Sequence, residues 1–175
     1  MFAYFSQNSV LEKKLYNNII YLSRNKIFYT KFNLTDSFQN RINLIFLHIC
    51  FLLNKINYKK KSKEHKEFEQ RVFDLIFANI ELNMRELGYG DVSVNKNMKF
   101  LIKTFYNMLL NCENYNKKKE DDKHKFILDY LSIKNETKAL NDSNLVDYFN
   151  KYQAFCFDLC LDSVLKGDLN FTYKS

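Results

Sequence analysis

The stretch Glu86-Leu87-Gly88-Tyr89-Gly90-Asp91-Val92-Ser93-Val94 holds two of the three glycines of a 175-residue chain. It separates a mostly apolar helical pattern from a second helical pattern that follows it. Glycine enters left-handed or strained backbone without penalty, so a close pair in a chain that otherwise avoids it predicts a helix C-cap, a tight turn and a new helix.

Outward from this junction, apolar residues recur at helical spacing, and no stretch of strict alternation marks a strand. Start and stop signals divide the chain into about six helices. The first opens with Ser9-Val10-Leu11-Glu12, a capping-box pattern, and runs to about Arg24 with Leu11, Leu15, Ile19 and Leu22 on its buried face. The second starts after Thr35 or Asp36 and runs through Ile42, Phe46, Ile49 and Leu53 to about Asn57; being apolar over most of its surface, it is expected at the centre. A third spans about Ser62 to Leu87 and ends at Gly88, and a fourth follows Asp91 or Ser93 and reaches about Asn114. A fifth covers about Phe126 to Ile133. The last starts near Ser143, turns Leu145, Tyr148, Tyr152, Phe155, Leu159 and Val164 toward a core, and stops at Gly167. With no repeat and no Pro/Gly/Ser-rich linker, the expectation is one all-α domain over residues 1–175, a compact bundle of about six helices.

Composition excludes a disordered chain, since 46% of residues are hydrophobic and 17% aromatic. A chain of this length buries about 70% of its unfolded surface, enough for its own core. The four cysteines, Cys50, Cys112, Cys156 and Cys160, sit in apolar helical patterns and read as reduced, buried thiols. Cys156 and Cys160 are one turn apart, but no CxxC pair or His–Cys cluster accompanies them, so no metal is expected. The apolar run Ile42–Leu53 falls short of the about 20 residues a membrane span needs. No signal peptide or Arg-rich presequence opens the chain, which reads as soluble in the compartment where it is made.

The formal charge is +7 and the pI about 9.1. Lysine concentrates at 55–66 and 117–125, including Lys59, Lys60, Lys61, Lys117, Lys118 and Lys119. Abundant Lys and Asn with no Trp and no Pro also suit AT-biased codons, which lowers the weight of the lysine count. Such segments attract phosphate in anionic headgroups or RNA, so a helical RNA- or ribosome-binding protein is the second reading; no RNP pattern or GXXG loop accompanies them. On the third helix Arg71, Asp74, Glu81 and Arg85 form one charged stripe in which Arg71 can pair with Asp74 and Glu81 with Arg85. The stripe is either a solvated face or a polar rim, with Glu86, beside an apolar docking surface.

Catalytic constellations fare poorly. There is no nucleophile elbow, Ser-His-Asp candidate or metalloprotease helix. Gly88-Tyr89-Gly90 lacks the third glycine and the preceding strand of a dinucleotide site. Asp121 and His124 share a helical face in a lysine-rich context that reads as a solvated turn, His48 reads as a core histidine and His65 as exposed. A helical enzyme using a cofactor in the core ranks last.

The junction also resembles a known family. Phe73-Asp74-Leu75-Ile76-Phe77-x-x-Ile80-Glu81-x-x-Met84-Arg85-Glu86-Leu87-Gly88-x-Gly90-Asp91-x-x-Val94-x-Lys96-x-Met98-Lys99, followed by Phe105-Tyr106, is similar to the ubiquinol-cytochrome c chaperone family. Phe28-Tyr29, Asp36-Ser37-x-x-Asn40-Arg41-Ile42, Leu47-His48 and Gly167-Asp168-Leu169-Asn170-Phe171 extend the likeness over nearly the whole chain. Asn79, Met84 and Asn95 depart from the usual Asp, Leu and Pro or Gly, and Asn40-Arg41-Ile42 replaces a Gly-Arg-Phe pattern. The resemblance implies a non-enzymatic, all-helical assembly factor for respiratory complex III, without cofactor, whose partner is newly made cytochrome b or another complex III subunit. A small partner protein, the ribosome and anionic membrane are further partners it implies, and DNA is not. The compact length resembles a bacterial member acting at the cytoplasmic face of the inner membrane, or at the matrix side in a eukaryote. Carried onto this chain, the partner-binding residues would be Asp74, Glu81, Arg85, Glu86, Gly88, Gly90, Asp91 and Lys96.

Overall fold

A computed structural model describes residues 2–58, 63–134 and 138–173. In chain order the helices are α1 (Phe2–Ser23), the single turn α2 (Ile27–Thr30), α3 (Phe38–Tyr58), α4 (Lys63–Glu86), α5 (Asp91–Cys112), α6 (Glu120–Leu128), α7 (Lys138–Asp158) and α8 (Leu161–Leu165), with a 3-10 turn at Tyr115–Lys117 between α5 and α6. The bundle is all-α, and the described residues contain an isolated antiparallel bridge, Leu34 with Ile133, but no strand.

The apolar run predicted to be central is central. The α3 helix packs against α1, α4, α5 and α7, and Leu44, Phe46, Leu47, Ile49, Phe51 and Leu52 are fully buried. Its buried polar residues, Asn40, Asn43, His48 and Asn54, have partners, as polar groups removed from water must. Asn43 donates to the carbonyl of Tyr130 at 2.6 Å and Asn54 to that of Cys112 at 2.7 Å. Asn40 donates to the carbonyls of Thr35 and Ser132 and accepts from the Ser132 N–H at 2.9 Å, sewing the start of α3 to the chain beyond α6.

His48 is the core histidine its setting predicted. Because a carbonyl can only accept, the 2.6 Å contact with the Leu44 oxygen puts the proton on Nδ1, leaving Nε2 to accept from the Tyr148 hydroxyl at 2.8 Å. Phe28, Phe149 and Tyr152 close round the ring, and Tyr148 passes the packing on to Phe171. The scattered pairs Phe28-Tyr29, Leu47-His48 and Asn170-Phe171 thus each send a residue into one aromatic core. Burial pushes His48 down to about 4 from 6.5. Its folded value is the lower one, so the associated stability is full above about pH 6.5 and is lost as pH falls through 4, by about 3 kcal/mol. Denaturant melts from pH 7 to 4 should show this fall, and a core variant, His48→Gln, should flatten it.

Several boundaries differ from the sequence reading. Helix α1 begins at Phe2, so Ser9 lies inside it and the capping box does not form. Glu12 is buried and accepts from Arg71 Nε of α4 at 2.7 Å, which replaces the expected Arg71–Asp74 pair; Asp74 accepts from Gln70 Nε2 instead. The charged run from Glu120 to Lys125 is helical, because Glu120, Asp121 and Asp122 occupy the first turn of α6, where carboxylates face the positive end of the helix dipole. That helix ends at Leu128, and the backbone then pairs with the loop before α3, Thr35 N–H to the Ser132 oxygen and Lys134 N–H to the Asn33 oxygen, both at 3.0 Å. The predicted last helix starts earlier, at Lys138, and breaks after Asp158, with Cys160 capping the short α8 through its sulfur. Cys160 is therefore exposed, whereas Cys50, Cys112 and Cys156 are buried as expected, so Cys156 and Cys160 do not share a site. His65 is half-buried rather than exposed. The proposed start at Ser62 lies outside the described residues, as do Lys59, Lys60 and Lys61.

A candidate partner-binding junction

Helix α4 presents Phe68, Val72, Ile76, Ile80 and Met84 to the core and stops where Gly88 adopts φ +85°. The Gly88 N–H reaches the Arg85 oxygen at 2.9 Å and the Tyr89 N–H the Met84 oxygen at 3.1 Å. This is the Schellman arrangement, which satisfies the last carbonyls of the helix and favours glycine at the left-handed position. Gly90 is different. It is extended, φ −71° and ψ 159°, and caps α5 through its carbonyl, which accepts from the Val94 N–H at 2.9 Å. A Cβ on Gly90 would meet nothing within 4 Å. Only the first glycine of the pair is required by the backbone, which corrects the expectation that both are.

Arg85 ties the two helices together across the turn. Its Nη1 donates to Asp91 at 2.6 Å, and its Nε and Nη2 donate to the same Glu81 oxygen at 3.0 and 2.8 Å. Donating to Asp91 and Glu81 raises the guanidinium further above its already high range. The expected Glu81–Arg85 pair is therefore present, enlarged by a third member that is not its neighbour on the helix. Glu86, Gly88 and Gly90 are exposed beside it, and Lys96 is exposed on the second turn of α5. Asp74 is not part of the cluster: eleven residues before Arg85, it lies about 16 Å away along α4.

Apolar surface flanks this polar ridge. Leu87 is 62% and Val92 86% exposed, with Leu82 and Tyr89 also open to solvent. On the α1 side of the ridge a groove of about 270 Å³ has Ile20, Phe38, Ile45 and Ile80 in its walls and Arg24, Arg41 and Glu86 among its polar lining. Asp36 engages Arg41 in two bonds, at 2.7 and 2.8 Å; among the described residues no carboxylate forms an ion pair with Arg24. The groove joins residues far apart in sequence, so no local pattern announces it. The exposed leucines did leave a signal: Leu82 is two residues off the buried i, i+4 series and so faces about 200° away from Ile80.

The remaining site expectations are scattered. Lys117 and Lys119 are exposed and Lys118 half-buried, next to the acidic first turn of α6. Among the described residues no three His, Cys, Asp or Glu side chains come together as a metal site, and no helix is long and apolar enough to cross a membrane.

An all-α bundle that presents a charged helix junction between exposed apolar residues has the make-up of a protein-binding scaffold. A family model described as Ubiquinol-cytochrome C chaperone matches residues 30–128, more than half of the chain and the part that runs from α2 through α6, and the chain belongs to that family. Membership makes its broad role a chaperone or assembly role for the cytochrome bc complex. The fold is also similar to that of the crystal structure of the Cbp3 homolog from Brucella abortus, with a TM-score of 0.81 and 21% identity over 98% of this chain and 94% of that one. No curated protein sequence matches the chain.

Proposed function

We propose that the chain is a non-enzymatic assembly factor that holds newly made cytochrome b, or another subunit of the cytochrome bc complex, through the α4–α5 junction and the groove beside it. The observation that carries this reading is the Arg85 bridge between Glu81 and Asp91, which fixes a polar ridge between apolar surfaces left open to solvent. Charged groups held rigidly at the rim set register and specificity, while neighbouring apolar residues supply the desolvation on which protein contacts depend. Glu86 and Lys96 extend the rim. Gly90, which the backbone does not need as glycine, leaves room for close approach. A small partner protein and the ribosome are additional contacts of this reading, and its location is the cytoplasmic face of the inner membrane, or the matrix side in a eukaryote. The competing RNA-binding reading is weakened because the carboxylates of the first α6 turn interrupt the lysines at 117–125.

Two substitutions test the site. Arg85→Glu places three like charges together, and Gly90→Val fills the approach path without strain at φ −71°. Each should lower assembled cytochrome b and complex III in the host by about tenfold, the loss of a contact of about 1.4 kcal/mol, while the purified protein stays folded and its thermal melt falls only by the about 1 kcal/mol that an exposed ion pair or a helix cap is worth. Normal complex III in both strains would reject this surface as the site.

A further inference from the structure

The outward face of α5 carries a second surface. At 100° per residue, Val94, Leu101, Phe105, Met108 and Cys112 fall on one side of the helix and are buried. Away from that side lie Val92, Phe100, Tyr106 and Leu110, of which Phe100 is 59% and Leu110 64% exposed, while Tyr106 is half covered by Phe73 of α4. Interleaved with them, within about 40° of the line from Val92 to Leu110, are Lys96, Lys99 and Lys103, all exposed. From Val92 to Cys112 the helix contains no carboxylate. Asp91, at its first position, is held by Arg85.

We infer that this face of α5 is a docking surface for an anionic lipid bilayer, lying in the plane of the headgroups. Charge complementarity sets the sign of the partner, since three lysines without an interspersed carboxylate match a negatively charged plane. The apolar residues set its kind: they are spread along a convex helix of 22 residues, about 33 Å long, which matches a flat, deformable surface. Lysine stems beside Phe100 and Leu110 can lie along the apolar layer with their ammonium groups at the phosphates, the pattern of interfacial helices. Bound in this way, the chain would hold the Arg85 junction at the edge of the membrane plane. Val92 and Lys96 belong also to the rim proposed for cytochrome b, and the two readings are told apart because vesicle binding and complex assembly are measured separately.

The test is flotation of the full chain with vesicles of phosphatidylcholine alone and of phosphatidylcholine mixed equally with phosphatidylglycerol, at low and at high salt. The expected result is binding to the anionic vesicles only, weakened by salt. Replacing Lys96, Lys99 and Lys103 together by Gln should lower partitioning about a hundredfold, at about fivefold per lysine. Phe100→Ser with Leu110→Ser should also lower it, with the thermal melt showing that both variants remain folded. No binding to anionic vesicles, equal binding to neutral ones, or full binding by the triple variant would overturn the proposal. So would loss of binding only on Gln replacement of Lys117, Lys118 and Lys119. If the α5 variants bind vesicles normally but capture less cytochrome b, the face is a protein contact and the lipid assignment fails.

Discussion

Arg71→Met should destabilise the fold by about 4 kcal/mol, because it leaves the Glu12 carboxylate buried without its cation. The Glu12 side chain is 4% exposed and that of Arg71 34%, with Nε–Oε1 at 2.7 Å. The second Glu12 oxygen has no hydrogen-bond partner among the described residues, so the guanidinium is the main compensation for taking the charge out of water. The pair itself need not add to stability, since burial costs what the attraction returns; losing one member is what is expensive. Arg71→Met combined with Glu12→Leu should therefore recover most of the loss, and urea unfolding of the two single variants and the double variant measures the difference. A single Arg71→Met variant within about 1 kcal/mol of the parent, the range of an exposed pair, would show that Glu12 stays hydrated.

Gly167→Ala should cost about 4 kcal/mol, from left-handed backbone strain together with overpacking. Gly167 has φ +70° and ends α8 in a second Schellman arrangement, with its N–H on the Val164 oxygen at 3.0 Å and the Asp168 N–H on the Ser163 oxygen at 2.8 Å. A Cβ there would lie 2.8 Å from the Leu15 nitrogen and 3.1 Å from the Leu11 oxygen, which are backbone atoms of α1 and cannot swing aside. Asn18 donates to the Gly167 oxygen at 2.7 Å and Lys14 pairs with Asp168, so the chain end is fastened to α1 on both sides of the contact. Gly88→Ala is the matched control: its φ is +85° but its Cβ would meet open space, so it should cost only the strain, about 1 kcal/mol. Equal losses at the two glycines would mean that the α1–α8 approach is soft.

Much of the architecture was legible because helical periodicity and burial are the same fact read twice. The apolar surface of residues 42–53 could be satisfied only at the centre, and α3 is there. His48, enclosed by apolar residues in sequence, is enclosed by them in space. Glu81 and Arg85 are one turn apart, so their pairing needed no knowledge of the fold. The local signatures that failed were those with a stronger distant competitor. Glu12 matched a capping box but is held by Arg71, 59 residues away. Asp74 was offered Arg71 by spacing and lost it to that buried carboxylate. The charged run at 120–125 looked like a loop by composition, yet its three leading carboxylates are what a helix N-terminus prefers.

By itself the sequence determined the all-α class, the central helix, the helix–turn–helix junction and its Glu81–Arg85 pair. Each of these depends on residues within a turn or two of one another, where spacing dictates geometry. Tertiary structure alone decided that Asp91 joins Arg85 across the turn, that Gly167 has no room for a side chain while Gly90 has, and that Ile20, Phe38 and Ile80 meet in a groove. It also decided that the outer face of α5 stays uncovered. The physical reason is that exposure and close approach are properties of what packs nearby, and the chain segments that pack nearby are far away in sequence.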